Sequence, residues 1–389
     1  MRHTVIVGSS KTGTTGLFYS VLRGLEATGV PLYALYEIHG ARPYDSLDKY
    51  APERLVVAKL LVTNKSFDAE VAAAFRNRLL IVRDPRDTLV SALLFFPILA
   101  INKGVDDARI AEFTTLIRRK EQDPLSVSMK DLLASGYDLM GSTTKLSTAL
   151  TSRFRNTRRY HDQVDSLVVK YEAFVDGELG EVEDFLSLEL SGNRSGASRS
   201  HIERSGKYGG WKNWFLPTDV PYFRSLLRAY SERYGYDDDW EIAEQPVIDP
   251  AIASEYIERS SRSRREQLEL FYETKEPTAE RIALLRARSD TGRVNHSLSL
   301  ARLLLTDGSD AATAEAVERL TYASCAGNQA AMRLLSRCYR KGVGVARDPE
   351  RADFWRSEGR SRRGTPDPEP VERPLLQRVA SRAKRALGR

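Results

Sequence analysis

Short apolar runs alternate with longer segments of helical periodicity over the first part of the chain. The apolar runs fall at residues 3–7, 55–61, 79–82 and 167–169. Runs of this length between amphipathic helical patterns are typical of buried strands in a parallel sheet with helices on its faces. The pattern therefore predicts an α/β fold of three layers, with the sheet between helices.

Charge and proline mark the end of this pattern. After Asp237-Asp-Asp-Trp240 the chain reads EQPVIDP, and its two prolines indicate a boundary. We expect the α/β domain to span residues 1–245. Residues 246–294 are highly charged, have few aromatic anchors and predict a helical linker.

A weak internal repeat follows the linker. Residues 300–308 align with residues 334–342, and the second copy, AAMRLLSRCYRKGVGVARDPERADFW, is the clearer one. It resembles the Sel-one-like repeat, a tetratricopeptide-related helical pair with a G-x-G-V loop and a downstream Asp-x-x-x-Ala. The resemblance implies an all-α helical-repeat module over residues 295–360 that contacts a protein partner, because such repeats usually stack into binding solenoids. A plain helical cap on the α/β domain is the alternative.

The C-terminal segment is basic. Residues 361–389 begin as a proline-rich linker and end in LLQRVASRAKRALGR. Its leucines and valine can share one helical face while arginines and a lysine cover the rest, as in helices that lie on anionic membranes. The segment predicts peripheral membrane contact, with a solvated tail as the alternative.

Composition narrows the classes of ligand and compartment. The 389 residues carry a net charge of +6, which favours anionic small molecules or glycans without calling for nucleic acid, since 53 acidic residues nearly match 59 basic ones. The two cysteines, Cys325 and Cys338, provide neither a disulfide framework nor zinc-ligand spacing. No signal-peptide core opens the chain, and no apolar run reaches the roughly 18 residues of a spanning helix. We expect a soluble, cytoplasmic protein without a metal site.

The segment after the first apolar run has the composition of an anion-binding loop. It reads VGSSKTGTTGLF, with Gly8 and Gly13 at P-loop spacing, but Thr14 and Thr15 stand where nucleotide triphosphatases carry Lys-Ser or Lys-Thr. The lysine, Lys11, is in mid-loop. A glycine loop before a helix that starts near Thr14 directs backbone N–H groups and the positive helix end toward a phosphate or sulfate group.

Two further motifs carry groups suited to phosphate. RDPRDTLVS runs from Arg83 to Ser91, and a guanidinium and a helical serine at this spacing can face one phosphate. The local alternative is that Arg83 pairs with Asp87 across a turn. HIERSGKYGGWKNWF runs from His201 to Phe215, with an aromatic surface loop as the alternative.

Together the three motifs resemble those of sulfotransferases that use 3′-phosphoadenosine 5′-phosphosulfate (PAPS), namely K-S-G-T-T, R-[DN]-P-x-D-x-x-x-S and R-K-G-x-x-G-x-W-K-x-x-F. The resemblance covers about residues 3–240. It implies a P-loop-like sheet, PAPS as co-substrate and no metal ion. It also implies that Ser10, Lys11, Thr12, Gly13, Thr14 and Thr15 hold the 5′-phosphosulfate.

The resemblance implies specific contacts for the rest of the donor. Arg83, Ser91, Arg204 and the Gly206 amide correspond to groups that hold the 3′-phosphate. Ser205 stands where the family carries a lysine, which removes one cation and leaves Lys207 to compensate. Tyr171, at a strand end, corresponds to the tyrosine that approaches the adenine, with core packing as the alternative.

The implied reaction is in-line transfer of the sulfuryl group to an acceptor hydroxyl. Lys11 corresponds to the lysine that stabilises the leaving group, and Lys59 to a lysine near the sulfuryl oxygens. Lys59-Leu-Leu stands where cytosolic members carry K-T-H, so the usual histidine base is missing. Glu37, and after it His39, are the candidate bases, with an ordinary strand-end charge and a loop histidine as the alternatives.

The acceptor is predicted from its pocket. Residues 93–160 mix an apolar run with basic clusters, which suits a glycan or glycolipid better than a small phenol. Two other functions stay open. One is a P-loop kinase or NTPase, with Asp84 as its metal-binding carboxylate. The other is a non-catalytic scaffold that carries the helical repeats.

Overall fold

The computed structural model describes residues 3–35, 55–62, 69–190, 207–272, 278–290, 294–326 and 328–361. The chain splits into two compact units, and each unit draws on separate stretches of sequence. The first unit takes its described residues from Met1–Val82, Thr157–Arg194 and Leu270–Thr365, and the second takes them from Arg83–Asn156 and Ser195–Glu269.

Five parallel strands in the described residues form one sheet. They are β1 (Thr4–Gly8), β2 (Leu32–Leu35), β3 (Leu55–Leu61), β4 (Asn77–Val82) and β5 (Leu167–Lys170), in the order β2-β3-β1-β4-β5. In register, Ile6 of β1 pairs with Lys59 of β3 and with Leu79 of β4. The four apolar runs of the sequence thus form strands, and the predicted α/β class is confirmed.

Helices make up most of the remaining described chain. They are α1 (Thr14–Glu26), α2 (Ala69–Ala73), α3 (Pro85–Leu93), α4 (Phe96–Asn102), α5 (Asp107–Gln122), α6 (Met129–Leu139), α7 (Leu146–Gln163), α8 (Tyr171–Asp176), α9 (Gly180–Leu186), α10 (Val220–Tyr234), α11 (Ser254–Tyr272), α12 (Ala279–Asp290), α13 (Val294–Asp307), α14 (Asp310–Cys325), α15 (Gln329–Lys341) and α16 (Pro349–Ser361). Short 3₁₀ helices span Gly210–Asn213 and Pro250–Ile252.

The core of the first unit lies between the sheet and the helices α1, α8 and α9. Leu17 and Val21 are spaced four residues apart on α1 and are fully buried in one cluster with Ile6 and Val57 of the sheet. This spacing places both side chains on the same face of the helix. Full burial of each such side chain contributes about 1.5–3 kcal/mol. The packing fixes α1, and with it the loop that precedes it.

The C-terminal helices of the first unit form an all-α region that also contacts the sheet. α13 packs on α14, and α15 packs on α16. The Tyr322 hydroxyl on α14 donates a hydrogen bond to the carbonyl of Ala34, and its ring lies 6.0 Å from the ring of Tyr33. Because β2 is the edge strand among the five described strands, this contact gives the Ala34 carbonyl a partner outside that sheet. The predicted all-α region is confirmed.

The G-x-G-V loop between α15 and α16 has a steric basis. Gly342 ends α15 in the left-handed conformation at φ 70°. Gly344 has φ 65°, and a Cβ there would lie 2.1 Å from the Thr313 carbonyl oxygen. Asp348 then accepts a hydrogen bond from the Arg351 amide at the start of α16. The assignment to Sel-one-like repeats stays a prediction.

The second unit is largely helical and is stabilised by a buried carboxylate. Asp219 accepts hydrogen bonds from the Met129 amide at 2.8 Å and the Leu216 amide at 3.0 Å. It is further bonded to the Lys130 amide at 3.3 Å. Buried backbone N–H groups need such partners, so Asp219 joins the starts of α6 and α10.

Candidate functional site

The loop between β1 and α1 is a tight backbone turn. β1 ends at Gly8 and α1 begins at Thr14, as the glycine spacing predicts. The Thr12 hydroxyl donates to the Ser9 carbonyl at 2.8 Å, and the Ser9 hydroxyl lies 2.7 Å from that of Thr157 on α7. Lys11 has φ 73°, a conformation that is uncommon for a residue with a side chain. The loop is therefore held by a hydrogen bond within it and by one to α7.

Gly13 connects this loop to the helix and cannot be replaced without strain. Its φ is 93°, and a Cβ there would lie 2.4 Å from Cδ2 of Tyr171. Gly13 is also the residue that precedes α1, and it has no side chain to accept hydrogen bonds from the first amides of the helix. These N–H groups, at the positive end of the helix dipole, are suited to an anion.

Lys59 meets the loop from the end of β3. Its side chain is only 2% exposed, and its Nζ donates to Oγ1 of Thr15 at 3.0 Å. A buried ammonium group stabilises nearby negative charge more strongly than one in water. The first unit thus brings together eight of the predicted site residues: Ser10, Lys11, Thr12, Gly13, Thr14, Thr15, Lys59 and Tyr171.

Tyr171 lies beneath the loop in the core of the first unit. It is the first residue of α8, directly after β5, and is 9% exposed. Its ring is the surface against which Gly13 packs. This contact is the core packing that the sequence left as an alternative, and it gives Tyr171 a role in shaping the loop.

Arg83 opens the second unit, immediately after β4. It is 5% exposed, and its backbone is held by the hydroxyl of Tyr230, which lies 3.4 Å from the Arg83 nitrogen and 3.3 Å from its oxygen. The Arg83 guanidinium donates to the Lys207 carbonyl at 3.4 Å. Ser91 is half-buried on α3.

Asp87 joins two distant parts of the second unit. It is 3% exposed and accepts hydrogen bonds from the Gly209 amide at 2.6 Å and the Trp211 amide at 3.0 Å. Burial raises the pKa of Asp87, and the nearby Arg83 and the two amides oppose that shift. The carboxylate thus binds residues 209–211, within the third sequence motif.

Arg86 makes a second connection to the same segment. Its guanidinium lies 3.9 Å from the Trp211 ring centre and 4.8 Å from that of Trp240. It also pairs with Asp84 at 2.8 Å and donates to the Asp239 carbonyl. Because the cation lies against two aromatic rings and is paired, its burial is compensated.

Sequence reasoning missed the roles of Asp87, Arg86 and Tyr230. Asp87 is part of the R-[DN]-P-x-D pattern, so the sequence marked the residue itself. It did not indicate its hydrogen-bond partners, because they lie more than a hundred residues away. Five predicted residues lie outside the described part of the chain: Glu37, His39, Arg204, Ser205 and Gly206.

The described residues contain no group of three or more His, Cys, Asp or Glu side chains that could hold a metal ion. Within the same part of the chain, no helix combines the length and apolar character needed to span a bilayer.

Comparison with known proteins gives limited similarity. No protein-family model matches the sequence, and no curated protein matches it. Among solved structures, the chain is similar to mouse sulfotransferase SULT7A1 complexed with PAP, with a TM-score of 0.36 and 16% sequence identity, over 60% of this chain and 85% of that chain. At this level of similarity, the residues and contacts of this chain itself must carry any assignment of function.

Proposed function

We propose that the protein transfers a sulfuryl group from PAPS to an acceptor hydroxyl. The observation that carries the proposal is the loop from Gly8 to Thr14, in which Lys11 and Gly13 both have positive φ. An uncapped helix start lies next to this loop, and buried Lys59 reaches Thr15. These groups suit a sulfuryl donor, whose transferring group carries less charge than a triphosphate and needs no metal ion to neutralise it.

The donor contacts follow from the motifs. The loop residues Ser10, Lys11, Thr12, Gly13, Thr14 and Thr15 hold the 5′-phosphosulfate. The 3′-phosphate binds to Arg83, Ser91, Arg204, Ser205 and Gly206, and the side chain of Tyr171 approaches the adenine. Burial of the Arg83 guanidinium supports this role, because a desolvated guanidinium binds phosphate strongly.

The reaction is a single displacement at sulfur. The acceptor oxygen forms a bond to sulfur as the bond between sulfur and the bridging oxygen of the 5′-phosphate breaks. Lys11 stabilises the charge that develops on that bridging oxygen, and Lys59 stabilises the charge on the sulfuryl oxygens. The acceptor proton passes to Glu37, with His39 as the alternative base. The products are a sulfate ester and 3′-phosphoadenosine 5′-phosphate (PAP).

The acceptor in this proposal is a glycan or glycolipid. The basic clusters of residues 93–160 support it, because a glycan presents polar groups that cationic side chains can bind. Residues 295–360 are proposed to contact a protein partner, and the basic segment 361–389 to contact an anionic membrane surface. The proposed location is the cytoplasm, at the membrane periphery.

Contacts of Asp84 argue against the kinase alternative. A kinase needs a carboxylate at this strand end to hold Mg²⁺. Asp84 instead accepts a hydrogen bond from the Arg86 amide at 2.8 Å, and both of its oxygens contact the Arg86 guanidinium. A carboxylate neutralised in this way is a poor metal ligand.

Calorimetric titration of PAP into the protein without Mg²⁺ tests the proposal. We expect binding by the wild type and loss of most of that affinity in Lys11→Ala and Arg83→Ala. Lys103→Ala and Arg109→Ala are matched controls, because both side chains make exposed contacts, with Met140 and Asp138. Equal affinity for PAP in all five proteins would contradict the roles assigned to Lys11 and Arg83. Binding of ATP with Mg²⁺ in place of PAP would favour a kinase.

A further inference from the structure

The segment Lys207–Trp211 of the second unit is attached to the turn Arg83–Asp87 by polar and aromatic contacts. Asp87 accepts hydrogen bonds from two of its amides, Arg83 donates to its first carbonyl, and Arg86 stacks on its tryptophan. The two hydrogen bonds to Asp87 are the shortest of the polar contacts, at 2.6 and 3.0 Å. The carboxylate is therefore the main polar anchor of this segment.

The hydrogen bonds to Asp87 act on the backbone of the segment. Gly209 has φ 78°, a left-handed conformation that favours glycine, and a Cβ there would have no atom within 4 Å. The amides on either side of Gly210 point to the two oxygens of one carboxylate. A carboxylate can accept both hydrogen bonds at once, whereas a carboxamide has one oxygen and presents an NH₂ group to the second amide.

Asp87 also stands four residues after Arg83, whose carbonyl partner is Lys207. If the segment moves, the Lys207 carbonyl moves away from the Arg83 guanidinium, and the guanidinium loses a contact that orients it. The burial that raises the pKa of Asp87 agrees with a carboxylate kept in the interior for its hydrogen bonds.

We propose that Asp87 is a positioning residue for the 3′-phosphate of the donor. It holds the segment Lys207–Trp211 against the turn and so orients Arg83, without touching the donor itself. The inference rests on the proposed function, because it assigns a role in donor binding.

The test compares Asp87→Asn with Asp219→Asn. Both carboxylates are 3% exposed and accept backbone amides within the second unit, so both variants should lose stability. Two readouts separate them: calorimetric affinity for PAP without Mg²⁺, and hydrogen exchange of the Gly209 and Trp211 amides. We expect Asp87→Asn to weaken PAP binding by at least about tenfold and to speed exchange at both amides. Asp219→Asn should leave PAP affinity and both exchange rates near wild type.

Each contrary outcome identifies what has failed. If the wild type binds PAP and Asp87→Asn binds it equally well, the positioning role is wrong and the proposed function stands. Equal weakening in Asp219→Asn would assign the effect to general destabilisation and overturn the role. Absence of PAP binding in the wild type would overturn the proposed function together with this inference. Unchanged exchange at Gly209 and Trp211 would show that Asp87 does not hold the segment.

Discussion

Replacement of Gly13 by alanine tests the shape of the loop between β1 and α1. Two separate penalties are expected. A left-handed conformation costs an L-residue about 1–2 kcal/mol, and Gly13 has φ 93°. The new Cβ would also lie 2.4 Å from Tyr171 Cδ2, and overpacking of this kind costs about 1–3 kcal/mol. Alanine also restricts the unfolded chain more than glycine does, and this offsets about 0.4–1 kcal/mol of the lost stability. We therefore expect Gly13→Ala to lower the free energy of unfolding by about 2–4 kcal/mol.

The chain provides a control that separates the two penalties. Gly177 also has a left-handed backbone, at φ 81°, but a Cβ there would have no atom within 4 Å. Gly177→Ala should therefore show only the conformational penalty. Urea denaturation followed by circular dichroism measures the free energy of unfolding of both variants. The transitions seen in the far-ultraviolet signal and in the tyrosine signal should be compared, because the two units need not unfold together.

The steric part can be isolated with Tyr171. In a Tyr171→Ala background the ring is gone, so Gly13→Ala should cost at least about 1 kcal/mol less than it does in the wild type. If Gly13→Ala costs the same in both backgrounds, or no more than Gly177→Ala, the loop does not pack on Tyr171 as described. If Gly13→Ala is as stable as the wild type, the strained loop geometry itself is wrong.

Two further predictions concern stability away from the loop. Tyr322→Phe removes the hydroxyl bonded to the Ala34 carbonyl and should lower the free energy of unfolding by about 1 kcal/mol in urea denaturation; an unchanged midpoint would mean that the α14 contact does not stabilise the edge strand. Burial lowers the pKa of Lys120 to about 8, so the folded protein releases a proton that the unfolded chain keeps until about pH 10.4. Unfolding free energy of the wild type relative to Lys120→Met should therefore rise between pH 8 and 10; parallel pH profiles would contradict the lowered pKa.

Local features of the fold could be predicted from the sequence. The four apolar runs became strands because a buried parallel strand needs a short continuous apolar segment, and the helix start at Thr14 followed from glycine spacing. The contact between Tyr322 and Ala34 joins residues 288 apart, and no periodicity encodes such a pair. The hydrogen bonds of Asp87 to Gly209 and Trp211 were missed for the same reason, since they depend on the folded course of the chain.

The candidate site could be predicted where its residues are contiguous in the sequence. The loop from Ser10 to Thr15 is contiguous, so its residue types alone indicate an anion. Lys59 required the resemblance, because an isolated lysine in an apolar strand has no local signal, and its contact with Thr15 arises only when β3 pairs with β1. Tyr171 was assigned to the donor, and its packing on Gly13 became visible only in the folded protein.

Recognition of the 3′-phosphate is the central claim, and one comparison tests it most directly. PAP and adenosine 5′-phosphate differ only in that phosphate, so both should be titrated calorimetrically into the wild type in the presence of a metal chelator. We predict that PAP binds at least about tenfold more tightly, because the 3′-phosphate adds charge-assisted hydrogen bonds, and that this difference disappears in Arg83→Ala. Equal binding of the two nucleotides, or binding of neither, would contradict the assignment to sulfuryl transfer.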